Sequence, residues 1–333
     1  MPGLEPIGRP QLVVTGSSGF IGRHLCARLC GSTHGAGSLF GIDANPPSAP
    51  VRYSHLAADI RDFKALATVA GSLEKRGTIL HLAASAEVVT PWAEIPRLLS
   101  SNLEGTHNVL QTLDPRLLIF ASSSSVYGNA GLRPVDPNSG PVKPISLYAI
   151  SKLSGEMMLR DWLREKPGTG VVFRFGNVIG QGCRGLIDYL IGHVRRFPDG
   201  NSVARLRGKG KLIRDYVPVE FVTELLVAAA RAEWEPGALT TLNLGTGTAM
   251  SNGEVAEIVQ QAAAALGFHL KISFEDPPCP GEATEVVLDM EDTEKLFGIR
   301  PPGPAAVRET IAGTVEQALR PYARTRDTRT VFA

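Results

Sequence analysis

No stretch of this chain approaches the ~20 consecutive apolar residues of a membrane-spanning helix, and no secretory signal pattern is visible at its start. Cysteine is scarce. Cys26, Cys30, Cys183 and Cys279 are the four, and they show no metal-ligand spacing. Cys26 and Cys30 lie one helical turn apart, which fits packing better than ligation. No disulfide framework is therefore expected, and reduced thiols in a cytoplasmic protein are. Charge of either sign is nearly absent in the balance. Lys+Arg 34 against Asp+Glu 33 leave +1, which gives no reason to expect nucleic acid or an anionic membrane as a partner. No internal repeat is visible. What the chain does have is 333 residues and 43% hydrophobic content, enough for one large α/β domain or two lobes.

The feature around which the rest is organised is Thr15-Gly16-Ser17-Ser18-Gly19-Phe20-Ile21-Gly22. It follows the apolar run at 12–14 and opens a helical stretch over 24–29. Strand, glycine-rich turn and helix is the layout that seats a dinucleotide pyrophosphate. Gly16 allows the tight turn, Gly19 lets backbone N–H groups approach phosphates, and Gly22 lets the helix pack close to the strand. The helix N-terminus adds unpaired N–H groups and the positive end of its dipole. The same residues also fit an ordinary glycine-rich βα turn.

Strands are expected next over 38–43, 53–57, 78–84, 117–121 and 171–175, alternating with helices over 92–113 and about 146–164. That alternation predicts a Rossmann-type, doubly wound parallel sheet. Asp43 ends the second strand, about 20 residues past the glycine turn, where an acid can bind adenosine ribose hydroxyls. Its charge would repel a 2′-phosphate, so NAD is expected over NADP; a plain surface Asp is the other reading. Asp62 is placed to cap a helix. Leu82, Ala83 and Ala84 offer a backbone that can lie against a cofactor. Ser122, Ser123, Ser124 and Ser125 follow the fifth strand, where ligands of open α/β sheets bind. Tyr148 and Lys152 share one helical face. They are either a chance surface pair or an acid–base unit in which the ammonium stabilises a phenolate, a shift that general-base work at neutral pH needs.

Beyond 176 the tidy alternation ends. Residues 182–210 read as irregular loops with one helix over 186–197. A short strand over 211–217, a helix over 221–232, a strand over 242–245 and a capping box, Ser251 to Glu254, follow. The expected domains are 1–175, completed by about 211–247, for the Rossmann part. A smaller substrate lobe takes 176–210 and 248–320, and 321–333 is a flexible tail. Residues 1–10 read as a flexible lead-in.

Together these pieces resemble the extended short-chain dehydrogenase/reductase family, in particular its nucleotide-sugar epimerases and dehydratases, over about 11–300. The carrying motifs are the glycine turn, Asp43, Asp59-Ile60, His81-Leu82-Ala83-Ala84, Asn102-x-x-Gly105-Thr106 and Ser122 to Gly128. They continue with Tyr148-x-x-x-Lys152, Arg174-Phe175-x-Asn177, Arg214-Asp215-Tyr216 and Asn243-x-Gly245-Thr246-Gly247. The resemblance implies that Tyr148 is the catalytic base and acid. Lys152 is its pKa partner and a ligand of the nicotinamide ribose, and Ser123 bridges the sugar hydroxyl and Tyr148. It implies cofactor contacts from Gly16, Gly19, Phe20, Ile21, Gly22, Asp43, Asp59, Ile60, Leu82, Ala83, Ala84, Asn102 and Phe175. Val88, Ser124, Ser125, Asn177, Leu186 and Arg214 are implied for the substrate. No metal is implied. A homodimer through the helices over 92–113 and 148–164 is.

Departures from the family narrow the reaction. Dehydratases and decarboxylases place acids where this chain has Ser124 and Ser125, neither of which can protonate a leaving hydroxyl. Epimerisation is therefore favoured, with UDP-hexose (glucose/galactose type) 4-epimerisation through a 4-keto sugar as the expectation. A 4-ketoreductase, an epimerase of UDP-glucuronate or at another carbon, and an NAD-sensing binding module are the alternatives. Cys279 stands where relatives carry a diphosphate arginine, leaving Arg214, with Arg184, for that charge. Ile179 and Arg207 replace aromatics.

Overall fold

The computed structural model describes residues 11–31 and 39–330, with side chains described to residue 323. The lead-in over 1–10, Ser38 and the last three residues of the expected tail lie outside the described residues.

In chain order, β1 (Leu12–Thr15) passes through the glycine turn into α1 (Phe20–Gly31). β2 (Leu39–Asp43), β3 (Ser54–Ala57), α2 (Phe63–Ala70) and β4 (Thr78–His81) follow. Asp62 caps α2, accepting Ala65 N–H at 3.0 Å as its position predicts. The helical stretch expected over 92–113 is interrupted. It consists of a 3₁₀ turn at Trp92–Glu94, α3 (Ile95–Leu99), a π turn at Ser100–Glu104, and α4 (Gly105–Leu113). The wide turn forms because Gly105 N–H reaches back to Ser100 O, five residues away.

β5 (Leu117–Ser123), α5 (Leu147–Glu165) and β6 (Thr169–Phe175) come next, then β7 (Asn177–Ile179) and α6 (Leu186–Arg196). Residues read from sequence as irregular loop form β8 (Asp199–Arg207). Its Ala204 and Leu206 face inward while Val203, Arg205 and Arg207 face out, an alternation masked by the glycines and arginines around it. β9 (Ile213–Pro218), α7 (Val219–Arg231) and β10 (Leu239–Leu244) lead to β11 (Ala249–Ser251) and α8 (Asn252–Ala264). α8 opens on the expected box, with Ser251 and Glu254 each accepting the other's backbone N–H. β12 (His269–Glu275), α9 (Glu291–Phe297) and α10 (Pro304–Thr330) complete the order, α10 running on into the expected tail.

The chain divides into two compact units. The first holds the residues through Ser122 together with Ser151–Phe173 and Thr223–Thr241. The second holds Ser123–Ile150, Arg174–Val222 and the residues from Leu242 on. The large sheet runs β10-β6-β5-β4-β1-β2-β3, with β3/β2, β2/β1, β1/β4 and β4/β5 all parallel. This is the Rossmann order, reversing direction between β1 and β4 at the switch point where ligands of such sheets bind. Val13, Ile42, Ile79, Leu118 and Phe120 from its strands share one core with Leu66, Val109, Leu110 and Leu159 from helices. β10, not β9, takes the sheet edge. In the second unit β9 is instead the centre of a small sheet, β11-β9-β7, and β8 pairs in parallel with β12.

Among the described residues no helix is long and apolar enough to cross a membrane, and no His/Cys/Asp/Glu group could hold a metal ion. The four cysteines are free thiols.

Candidate active site

In the first unit, the site grows from the end of β1. Gly16 has φ +74°, and a Cβ there would stand 2.7 Å from Ala83 N. The turn therefore lies directly on the chain leaving β4. A Cβ on Gly22 would collide with the carbonyl of Gly16, so α1 packs on the turn itself, closer than the strand contact expected from sequence. The N–H groups of Phe20 and Ile21 head α1, where no helical acceptor precedes them. Asp43 stands at the end of β2, against the turn that precedes them. Its Oδ2 accepts Ser18 N–H at 3.0 Å and its Oδ1 accepts Asn45 N–H at 2.8 Å. Free helix-end amides flanked by a fixed carboxylate fit a pyrophosphate and a ribose diol.

Asp59 and Ile60 follow β3. Asp59 is gripped by Arg61, with Nη2 at 2.6 Å, and that guanidinium holds its carboxyl below the usual range. Ile60 is buried in the core beneath Gly105, and Asn108 donates to its carbonyl at 2.9 Å. Any outward contact from Ile60 is through its backbone.

Sequence reasoning named His81 within a motif but gave it no role; it proves to be buried in a hydrogen-bonded chain. Thr15 Oγ1 lies 2.7 Å from Nδ1 and Thr106 Oγ1 lies 3.1 Å from Nε2. Thr106 donates its proton to the carbonyl of Asn102 at 2.8 Å, which can only accept. Thr106 must then accept from Nε2–H, and Nδ1 must accept from Thr15. Burial, aided by the charge of Lys152, pushes His81 down to about 3, so the ring is neutral. Asn102, turned inward by the π turn, accepts Ser85 N–H at 2.8 Å and donates to Ser85 O and to Ser151 Oγ. It ties the loop after β4 to α5. Val88, further along that loop, is exposed.

Lys152 is buried on α5. Its Nζ donates to the carbonyl of Ala121 at 2.8 Å and lies 5.3 Å from the Phe120 ring centroid. Gly155 permits this approach, since a Cβ there would collide with Phe120. Burial lowers the ammonium to about 8, against the pull of Glu156 upward. Glu156 is itself buried and accepts from Ser122 Oγ at 2.5 Å. Its position, four residues after Lys152, was a signal available in the sequence.

In the second unit, Ser123 caps the 3₁₀ turn at Ser124–Tyr127. Its Oγ accepts Ser125 N–H at 3.2 Å, and its hydroxyl donates to Ser125 Oγ at 3.0 Å. Tyr148 is buried and hydrogen-bonded to Ser123; burial pushes the phenol up from its ordinary value, against the smaller downward pull of that bond. Tyr148 sits one turn before Lys152 on α5. Ser124 is buried beside this cluster in sequence, and Phe175 is buried at the end of β6.

Asn177 is exposed at the start of β7, opposite Tyr216 of β9. Leu186, half-buried, opens α6. Arg214 donates to Ile213 O at 2.9 Å and forms an ion pair with Glu282 at 3.3 Å. The neighbouring Asp215 was not assigned from sequence. It accepts from Thr246 N at 2.7 Å, Gly247 N at 2.8 Å and Leu288 N at 3.2 Å, while burial pushes it up to about 6. It fixes the loops that flank β9.

A model of the NAD dependent epimerase/dehydratase family matches residues 12–245. A putative UDP-glucose 4-epimerase of Methanocaldococcus jannaschii is 28% identical over 296 residues, covering 86% of this chain and 92% of the relative. A probable UDP-glucuronate 4-epimerase of Rhizobium meliloti is 26% identical over 352 residues, covering 96% and 99%. Among solved structures, the Thermus thermophilus UDP-glucose 4-epimerase in complex with NAD superposes with a TM-score of 0.79. It is 25% identical, over 92% of this chain and 98% of that one.

Proposed function

The chain belongs to the NAD dependent epimerase/dehydratase family, and we propose that within it the protein is a 4-epimerase of a nucleoside-diphosphate hexose, of the UDP-glucose/galactose type. The observation that carries this reading is the Ser123–Tyr148 hydrogen bond with Lys152 one turn on, at a place where both following residues are serines and not acids.

The cofactor is NAD. The amides of Phe20 and Ile21, heading α1 after the glycine turn, would hold its pyrophosphate, and Asp43 its adenosine ribose. The Asp59-Ile60 backbone would meet adenine, and the stretch 82–84, fixed by Asn102, would lie along the cofactor. Lys152 would hold the nicotinamide ribose and Phe175 would flank the nicotinamide ring. When bound, NAD accepts a hydride from the sugar and returns it within the same turnover.

The chain's own part is to bind the sugar and move one proton. Tyr148 Oη, as phenolate, takes the proton of the 4-hydroxyl, with Ser123 donating to the same oxygen. The buried Lys152 ammonium supplies positive charge on the same helix face. Arg214, as a planar fork, pairs the diphosphate. Asn177, Leu186, Val88 and the serines at 124 and 125 line the rest of the substrate. With the nucleotide anchored, the 4-keto sugar turns over, and Tyr148 returns the proton to the other face. A UDP-glucuronate substrate is the second reading, favoured by the Rhizobium relative's near-complete coverage.

We further infer a homodimer through the α3–α4 stretch and α5, since Leu99, Ile150 and Met157 expose apolar surface there. Free thiols fit a cytoplasmic setting. The test is NMR of the NAD-loaded protein with UDP-glucose and, separately, UDP-glucuronate. The 4-epimer from UDP-glucose is expected. The 4-epimer from UDP-glucuronate alone would move the assignment to that substrate, and no epimer from either would overturn it.

A further inference from the structure

Ser125 touches Ser123 twice, through its N–H at 3.2 Å and its hydroxyl at 3.0 Å. A hydroxyl has one proton and two lone pairs. With Tyr148 protonated, the phenol donates to Ser123 and Ser123 donates to Ser125. With Tyr148 as phenolate, the proton of Ser123 must turn to the phenolate oxygen. Ser123 then has a lone pair freed, and the hydroxyl of Ser125 is placed to fill it. Two donors into Ser123 polarise its own O–H and make it a stronger donor to the phenolate.

We propose that Ser125 is a positioning residue: its hydroxyl reverses polarity with Tyr148 and completes a three-hydroxyl chain, Ser125 to Ser123 to Tyr148, that stabilises the phenolate. This rests on the reading of Tyr148 as the base. It does not depend on which sugar is bound. Of the ionisable groups, Lys152 stands one turn along α5, and Glu156 and the neutral His81 in turn face Lys152. The 3₁₀ turn carrying Ser124 and Ser125 brings no ionisable side chain except Tyr127, whose hydroxyl donates to Asn243 Oδ1 at 2.5 Å. The hydroxyl of Ser125 is thus the adjustable group on that side.

Ser125→Ala removes the O–H and keeps the N–H. The test is an ultraviolet difference titration of the tyrosinate band in NAD-loaded protein, with Tyr148→Phe as the blank, alongside the pH dependence of kcat. In Ser125→Ala the tyrosinate titration and the acid limb of kcat are expected to move up by about one pH unit, with kcat at neutral pH down about ten-fold. Ser125→Thr, which restores a hydroxyl, is expected to return both. A tyrosinate titration unmoved in Ser125→Ala would overturn the proposal, whatever happens to KM; a raised KM alone would make Ser125 a substrate contact only. Because the titration needs no substrate, a wrong sugar assignment fails in the NMR assay and leaves this measurement intact.

Discussion

Lys152 Nζ donates to the carbonyl of Ala121 at 2.8 Å, two residues before Ser123 in the chain. The ammonium is thus pinned to the end of β5 and cannot swing to water. Burial lowers it to about 8, and Glu156 opposes that shift. A depressed lysine is charged below its folded pKa and neutral above it. Activity that depends on the ammonium is therefore present at neutral pH and lost as pH rises through about 8. Glu156→Gln keeps an acceptor for Ser122 and removes the charge. The basic limb of kcat against pH is expected to move to lower pH in that variant; an unmoved limb would dissociate Glu156 from Lys152.

Tyr148→Phe removes the group that moves the proton and leaves the ring that fills the buried site. Turnover is expected to fall by about a thousand-fold or more. NAD should stay bound, as read by mass spectrometry of cofactor released on denaturation. Full activity in this variant would remove Tyr148 from the mechanism.

Gly22→Ala places a methyl group against the carbonyl of Gly16 and against Ser17 Cα, both backbone atoms of the turn. Backbone cannot rotate aside as a side chain can. The cost is of the order of 1–3 kcal/mol of stability from overpacking. Thermal unfolding should show it as a lowered Tm, together with weakened NAD binding. Gly31→Ala, at the end of α1 where nothing among the described residues lies within 4 Å of the added carbon, is the control and should leave both unchanged.

Local features were the legible ones. The glycine turn, the capping box and the Tyr148–Lys152 spacing each depend on neighbours within a few residues, and the structure reproduces each as a local arrangement. β8 was missed because its partner, β12, lies some sixty residues on, and nothing local announces a parallel pairing. The role of His81 went unread for the same reason. Its partners Thr15 and Thr106 come from β1 and α4, and only the fold brings three such segments together. The contact between Ser123 and Ser125 lay inside a run of serines that sequence alone could not rank. Glu156 is different: its spacing from Lys152 was readable, but an acid on a helix is usually a solvated one.

Asp43→Asn tests the choice of cofactor. Asparagine keeps an acceptor for Ser18 N–H, which Asp43 Oδ2 now binds at 3.0 Å, and removes the charge that repels a 2′-phosphate. Binding of NADP, measured by calorimetry, is expected to tighten by about ten-fold relative to NAD, in line with about 1.4 kcal/mol of relieved repulsion. An unchanged ratio would show that shape, not the Asp43 charge, excludes the phosphate.

Arg214 already has an anionic partner. Its Nη2 lies 3.3 Å from Glu282 Oε1, and the two side chains are 14% and 26% exposed. A substrate diphosphate would meet a guanidinium partly neutralised by that carboxylate, within the same Cys279-Pro280-Gly281-Glu282 segment that lacks an arginine of its own. Two outcomes follow. Arg214→Ala removes the fork and should raise KM for the nucleotide sugar by about one hundred-fold, with kcat far less affected, because the loss is of ground-state and transition-state binding alike. Glu282→Gln should do the reverse. A part-exposed ion pair is worth up to ~1 kcal/mol, so freeing Arg214 from it should lower KM by about three-fold. Steady-state kinetics on both variants decides the matter. A KM that rises in Glu282→Gln would place Glu282 among the groups that bind the substrate and remove it as a competitor for Arg214.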